Sequence, residues 1–159
     1  MLWIKYIELT CLGVKNFRTG DDPGCCLELY GLLNGATCRY DNRGQEITEA
    51  NELFWKRESN NTISLDDGAA ETLNVKKTLV LFPGKHIKFG GLIIEEDQDF
   101  LNPDDSLGTN YLRFDYDYFQ TVNAPEIHEI TFTDNGGNPQ VAMAWWKVEY
   151  VTLIPIPGT

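Results

Sequence analysis

Cations are scarce in this 159-residue sequence, in which 13 Lys and Arg face 24 Asp and Glu for a formal net charge of −11. No basic run is longer than Lys76-Lys77, so the chain lacks the footprint with which proteins neutralise nucleic-acid phosphates. Nucleic acid is therefore excluded as a partner, and an anionic membrane would repel this surface unless a metal reversed the local sign. Long apolar runs are missing too, and nothing approaches the roughly 20 residues that a bilayer-spanning helix needs. The opening Met-Leu-Trp-Ile-Lys-Tyr-Ile-Glu is interrupted by Lys5 and Glu8 and makes a poor signal-peptide core. The expected location is cytoplasmic or peripheral at a membrane, with secretion open only if a signal preceded these residues.

Catalytic equipment is equally thin. The only histidines are His86 and His128, each in a strand-like stretch, and no G-x-S-x-G, P-loop or dinucleotide fingerprint occurs. The expectation is a protein that is not an enzyme. Cys11, Cys25, Cys26 and Cys38 show no C-x-x-C spacing and no nearby His, which argues against a structural zinc site. A core large enough to do without staples favours reduced cysteines over any of the three possible disulfide pairings. Adjacent Cys25 and Cys26 read as two small residues entering a strand rather than as a redox pair.

What is abundant is alternation. The chain is 42% hydrophobic and 12% aromatic, enough for a packed core, and its length suits one domain spanning 1–159. Ile7, Leu9 and Cys11 alternate with Tyr6, Glu8 and Thr10, the period of a strand with one buried face. The segment Cys26 to Leu33 alternates again and is expected to close at the Asn34-Gly35 turn signal. Short strands are expected at Thr37 to Tyr40 and Leu53 to Lys56, with a helical turn around Ile47 to Ala50 between them. Further strands are expected at Thr62 to Leu65, Leu73 to Phe82, and His86 to Ile94, where Gly90-Gly91 suggests a bulge or bend. Leu112, Phe114, Tyr116 and Tyr118 share one face of another. A closing hairpin joins Glu129–Thr133 to Val141–Leu153, with Ala142, Ala144, Trp146, Val148 and Tyr150 on one side. About eight strands with no convincing amphipathic helix make an all-β, antiparallel β-sandwich.

Between Glu95 and Asp105 the apolar strand ends in six acids, Glu95, Glu96, Asp97, Asp99, Asp104 and Asp105. Such density calls for a cation, and oxygen-rich sites suit calcium. The run Asp97-x-Asp99-x-x-x-x-x-Asp105-x-x-Gly108 resembles the third calcium-binding loop of the C2 domain family, calcium-dependent phospholipid-binding β-sandwiches. That family's pattern is a D-x-D pair, an Asp six residues after the second, then two residues and a glycine. The resemblance implies a C2-like sandwich with a first calcium loop at Asp21 and Asp22, followed by the strand Leu27-Glu28-Leu29-Tyr30-Gly31. The second Asp expected there falls on Cys25 or Cys26, so the site holds fewer ions or Asp21 and Asp22 both serve it. The implied ligands of Ca2+ are Asp21, Asp22, Asp97, Asp99 and Asp105, with Asp104 in reserve. Phe100 and Leu101, apolar within the acidic loop, are the implied membrane tip.

The resulting expectation is a calcium-binding module that docks to a phospholipid membrane surface or a protein partner. Two other readings stay open. Trp145, on the opposite strand face from Trp146, would suit a lectin-like jelly roll stacking on sugar, and a metal-free interaction domain would use its acids only for solubility.

Overall fold

Among the described residues, alternation of inward and outward side chains generates nine strands, β1 (Trp3–Arg18), β2 (Cys26–Tyr40), β3 (Glu46–Arg57), β4 (Ile63–Asp66), β5 (Ala70–Leu81), β6 (His86–Glu95), β7 (Asp105–Asp115), β8 (Glu126–Thr133) and β9 (Val141–Pro155). The structure, a computed structural model, describes residues 1–20, 24–97, 104–120 and 124–159. Among the described residues there is no α-helix, only a 3₁₀ turn at Tyr116–Tyr118. One sheet has the order β5-β1-β9-β8 and the other β3-β2-β6-β7, with β4 also paired to β2. Every pairing is antiparallel. The architecture is the antiparallel β-sandwich that the period-two pattern implies.

The inner faces supply the core. Ile7, Leu9, Ala144 and Trp146 from the first sheet and Leu29, Leu33, Phe89 and Ile93 from the second are all fully buried. Trp146 is its centrepiece, with the Phe54 ring edge-on at 5.1 Å and the Phe89 ring tilted at 5.3 Å. All five residues expected to share the inner face of β9 are buried.

Four local expectations are corrected. Asn34-Gly35 is no turn, because β2 runs through it to Tyr40, with Asn34 opposite Leu53 and Gly35 opposite Glu52. Gly35 is there for space, since a Cβ at this position would come within 2.6 Å of Leu9 Cδ2 and 3.0 Å of Phe54 Cε2. The helical turn around Ile47 to Ala50 is instead part of β3, which follows a tight turn where Asp41 Oδ1 accepts the backbone N–H of Arg43 and Gln45 at 2.8 and 2.9 Å. Pairing with β2 overrides the weak local helical signal. Tyr116 and Tyr118 leave the strand for the 3₁₀ turn, which Lys5 holds by donating from Nζ to the Tyr116 carbonyl at 2.9 Å. The bulge or bend expected at Gly90-Gly91 falls elsewhere: both glycines stay in register with β2 and β7, the register shift against β7 lies between Leu92 and Ile94, and a Cβ on Gly91 would lie 1.8 Å from the Leu32 carbonyl oxygen at φ +155°.

Strand register brings several connections to one end of the sandwich. Arg18 pairs with Val141 and Lys15 with Ala70 in the first sheet. In the second, Cys26 pairs with Asp66, Leu29 with Glu95, and Glu95 with Asp105. Bonds across the sheets secure this rim: Gly68 donates to the Asn16 carbonyl at 2.8 Å, and the Thr19 N–H donates to Asp67 Oδ1 at 2.8 Å. The strand ends that bound residues 19–25 and 96–104 therefore share a rim.

Candidate metal centre at the acidic rim

The core-facing row of β6 runs Ile87, Phe89, Ile93 and then Glu95, so strand parity carries a carboxylate into the end of the core. Glu95 is only 1% exposed. Directly across the ladder stands Asp105, the first residue of β7, and Asp97 follows two residues beyond Glu95. Carboxylate oxygens of Glu95, Asp97 and Asp105 lie within 4.8 Å of one another. Two strand ends and the connection between them thus build the cluster, with no contribution required from a distant element.

Asp104 faces differently. Its Oδ2 accepts the Tyr30 hydroxyl at 2.7 Å, and its Oδ1 accepts the backbone N–H of Asp97 at 3.2 Å. The bond to Asp104 pushes the Tyr30 phenol up to about 12, with burial adding to it. Asp104 thereby ties β2 to the start of β7 beside the cluster. Of the other residues expected here, Asp21, Asp22, Asp99, Phe100 and Leu101 lie outside the described residues.

Sequence reasoning passed over Glu95 as a ligand, although its parity with Ile93 was a sufficient signal. It also passed over Asp66 and Asp67, which the pairing of β4 with β2 brings to the same rim. The expectation of reduced cysteines holds for Cys11 and Cys38, which are free and buried, and fails for Cys25 and Cys26, which form a disulfide. The reason is local: Gly24 and Cys25 form a bend ahead of β2, so the two side chains escape the opposite-face alternation of a regular strand. Cys26 Sγ lies 3.0 Å from Asp66 Oδ1.

The other candidates lie elsewhere. Trp145, on the outer face of β9, is half-buried, donates from Nε1 to Glu129 at 3.0 Å and has Lys15 Nζ 5.5 Å from its ring. It is not an open stacking platform. His128 tilts against the Phe114 ring at 5.0 Å, as a histidine sharing a strand face with Ile130 and Phe132 should.

Chemically, the rim offers hard, anionic oxygen donors from a partly buried position. Calcium takes six to eight oxygens in flexible geometry and accepts monodentate or bidentate carboxylates. The donor set therefore fits a hard divalent cation, three protein carboxylates being supplemented by carbonyl or solvent oxygens.

No family model matches the chain, and no curated protein matches it. Among solved structures it is similar to a C2 domain of a plant extended synaptotagmin 1, at 6% identity over 91% of this chain and 92% of that one, with a TM-score of 0.46. It is also similar to CC2D1B, at 10% identity over 91% of this chain and 54% of that one, with a TM-score of 0.42. Human GIVD cytosolic phospholipase A2 matches at 13% identity over 96% of this chain but 18% of that one, with a TM-score of 0.41. A C2 domain, the family that the Asp97 to Gly108 spacing resembles, is thus among the similar structures.

Proposed function

We propose that residues 1–159 form one non-enzymatic module that gathers Ca2+ at the acidic rim and through it docks to a membrane surface or a protein partner. One observation carries this reading: Glu95, Asp97 and Asp105 converge within 4.8 Å on a chain whose net charge is already −11. Like charges about 4 Å apart repel by roughly 1 kcal/mol in bulk water and roughly 4 kcal/mol at a protein surface. A cation shared among them turns this repulsion into attraction.

Glu95, Asp97 and Asp105 would hold the ion, with Asp104 in reserve beside Tyr30. By their sequence pattern, Asp21, Asp22 and Asp99 complete the set. Bound calcium supplies positive charge at an otherwise negative rim and coordination positions for anionic oxygens, such as the phosphates of a lipid surface. Phe100 and Leu101, apolar within the acidic run, are suited to enter the bilayer once that charge is neutralised.

Calorimetric titration with calcium tests the reading, together with sedimentation of phosphatidylserine vesicles with and without chelator. Saturation at about 100 times Kd should stabilise the fold by about 2.7 kcal/mol, a rise in Tm of about 5–11 °C for a chain of this size. Asp97→Asn combined with Asp105→Asn should abolish both the heat and the sedimentation. Calcium uptake unchanged in that double variant, or absent from the native protein, would overturn the proposal.

A further inference from the structure

The first sheet also reaches the acidic rim, through Gln140. This residue immediately precedes β9 and continues the inward row of Ala142, Ala144 and Trp146. It is 2% exposed, and its Oε1 is buried without a hydrogen-bond partner. A buried carbonyl oxygen in that state is costly unless something outside the chain satisfies it. The backbone that carries it is fixed, since the Gln140 N–H donates to Asp134 Oδ1 at 3.2 Å and the Gln140 carbonyl accepts the Asp134 N–H at 3.4 Å.

Register across the sandwich sets what Gln140 faces. Trp146 of β9 and Phe89 of β6 meet in the core with ring centroids 5.3 Å apart. From that contact both inward rows climb toward the rim, and six residues along each they reach Gln140 and Glu95, the latter 1% exposed. Facing sheets lie about 10 Å apart, a gap that a Gln and a Glu side chain span together. A second orphaned amide oxygen, Asn16 Oδ1, lies at the same end, but Asn16 Nδ2 donates to the Leu65 carbonyl at 2.9 Å. That bond holds Asn16 over β4, which flanks β2 on the side away from β6, and leaves Gln140 as the amide that faces the carboxylates.

We propose that Gln140 Oε1 is a ligand of the cation held by Glu95, Asp97 and Asp105, so that the ion bridges the two sheets. The inference rests on the calcium reading above and adds to it a neutral donor from the first sheet. Glu95, Asp97 and Asp105 already bring three carboxylates within 4.8 Å of one another, and a fourth would add to their repulsion. Calcium takes six to eight oxygens and accepts Asn and Gln carbonyls beside carboxylates. An amide oxygen therefore raises the coordination number without adding charge. The ion in turn satisfies the orphaned Oε1 and ties the start of β9 to the end of β6.

Calorimetric titration of the full chain with Ca2+ compares the native protein with Gln140→Leu, which keeps the bulk and removes the oxygen, and with Gln140→Glu. Gln140→Leu should weaken Kd by about tenfold or more, because calcium affinity follows the ligand set. Gln140→Glu should lower Tm without calcium and enlarge the calcium-induced rise in Tm, since the added charge is unfavourable only while the ion is away. A native Kd in Gln140→Leu, or a rise in Gln140→Glu no larger than the native one, overturns the inference and leaves the calcium reading standing. Absence of calcium uptake by the native protein overturns both. Should Gln140→Leu fail to fold, carbon NMR of the Gln140 side-chain carbonyl in the native protein decides. A Cδ resonance that moves and saturates with calcium supports the ligand, whereas one that stays fixed while calcium is taken up assigns Oε1 to buried water and refutes it.

Discussion

Glu46→Gln is the perturbation that most directly tests how the second sheet is held. The carboxylate draws together β3, β6 and β7 through Arg113, Lys88 and His86, and its side chain is only 17% exposed. Hydrogen bonds to charged groups contribute about 1.5–3 kcal/mol each, and removing one partner of a buried pair costs about 3–5 kcal/mol because a charge is left uncompensated. Arg113 is 44% exposed, so solvent recovers part of that loss, and about 2–3 kcal/mol is expected for Glu46→Gln. At about 2–4 °C per kcal/mol for a chain of this size, Tm should fall by about 4–12 °C. The pH dependence adds a second constraint. Arg113, Lys88 and His86 hold the Glu46 carboxyl well below the usual carboxylate range, against the opposing effect of burial. A depressed folded value means that the contribution is complete above the unfolded value of about 4.3 and is lost as pH falls through the folded one. Thermal melts of both proteins should therefore differ by a constant amount down to about pH 5, with much of the gap surviving near pH 3. A gap below about 1 kcal/mol near pH 7, or one already closed by about pH 4, would refute the reasoning.

Two further outcomes follow from the packing of the second sheet and its acidic rim. Gly91→Ala should cost several kcal/mol or abolish folding, because its Cβ would meet the Leu32 backbone oxygen at 1.8 Å in a φ region that L-residues avoid; a urea midpoint unchanged from the native protein would show that the strand yields there. Asp104→Asn should return the Tyr30 phenol from about 12 toward its ordinary 10.0, read by ultraviolet absorbance of the phenolate during an alkaline titration, and a value that stays high would assign the shift to burial instead.

Several features are legible in the sequence itself. Alternation along β9 identified its inner face from Ala142 to Tyr150, and alternation in β1 identified Ile7, Leu9 and Cys11, all of them buried. The acidic run after β6 was visible as a concentration of like charge, and Asp97 and Asp105 do meet. Where local signals misled, a distant neighbour was the cause. Asn34-Gly35 is a strong turn dipeptide, yet it lies mid-strand. Tyr111 donates to Asn34 Oδ1 at 2.6 Å and Asn34 Nδ2 donates to Asn51 at 2.7 Å, while Gly35 gives Leu9 and Phe54 their room. The Cys25–Cys26 bond likewise depends on a bend that residue types alone do not specify.

Composition and period therefore determined that this chain is a sandwich of antiparallel strands with a concentrated acidic run, since both follow from the spacing of neighbours along the chain. Only the tertiary structure decided that Glu95 joins Asp97 and Asp105. It alone brought Glu46 to His86, 40 residues away, and to Arg113, 67 residues away. Those meetings depend on strand order and register, which are set by the simultaneous packing of two sheets rather than by any single stretch of sequence.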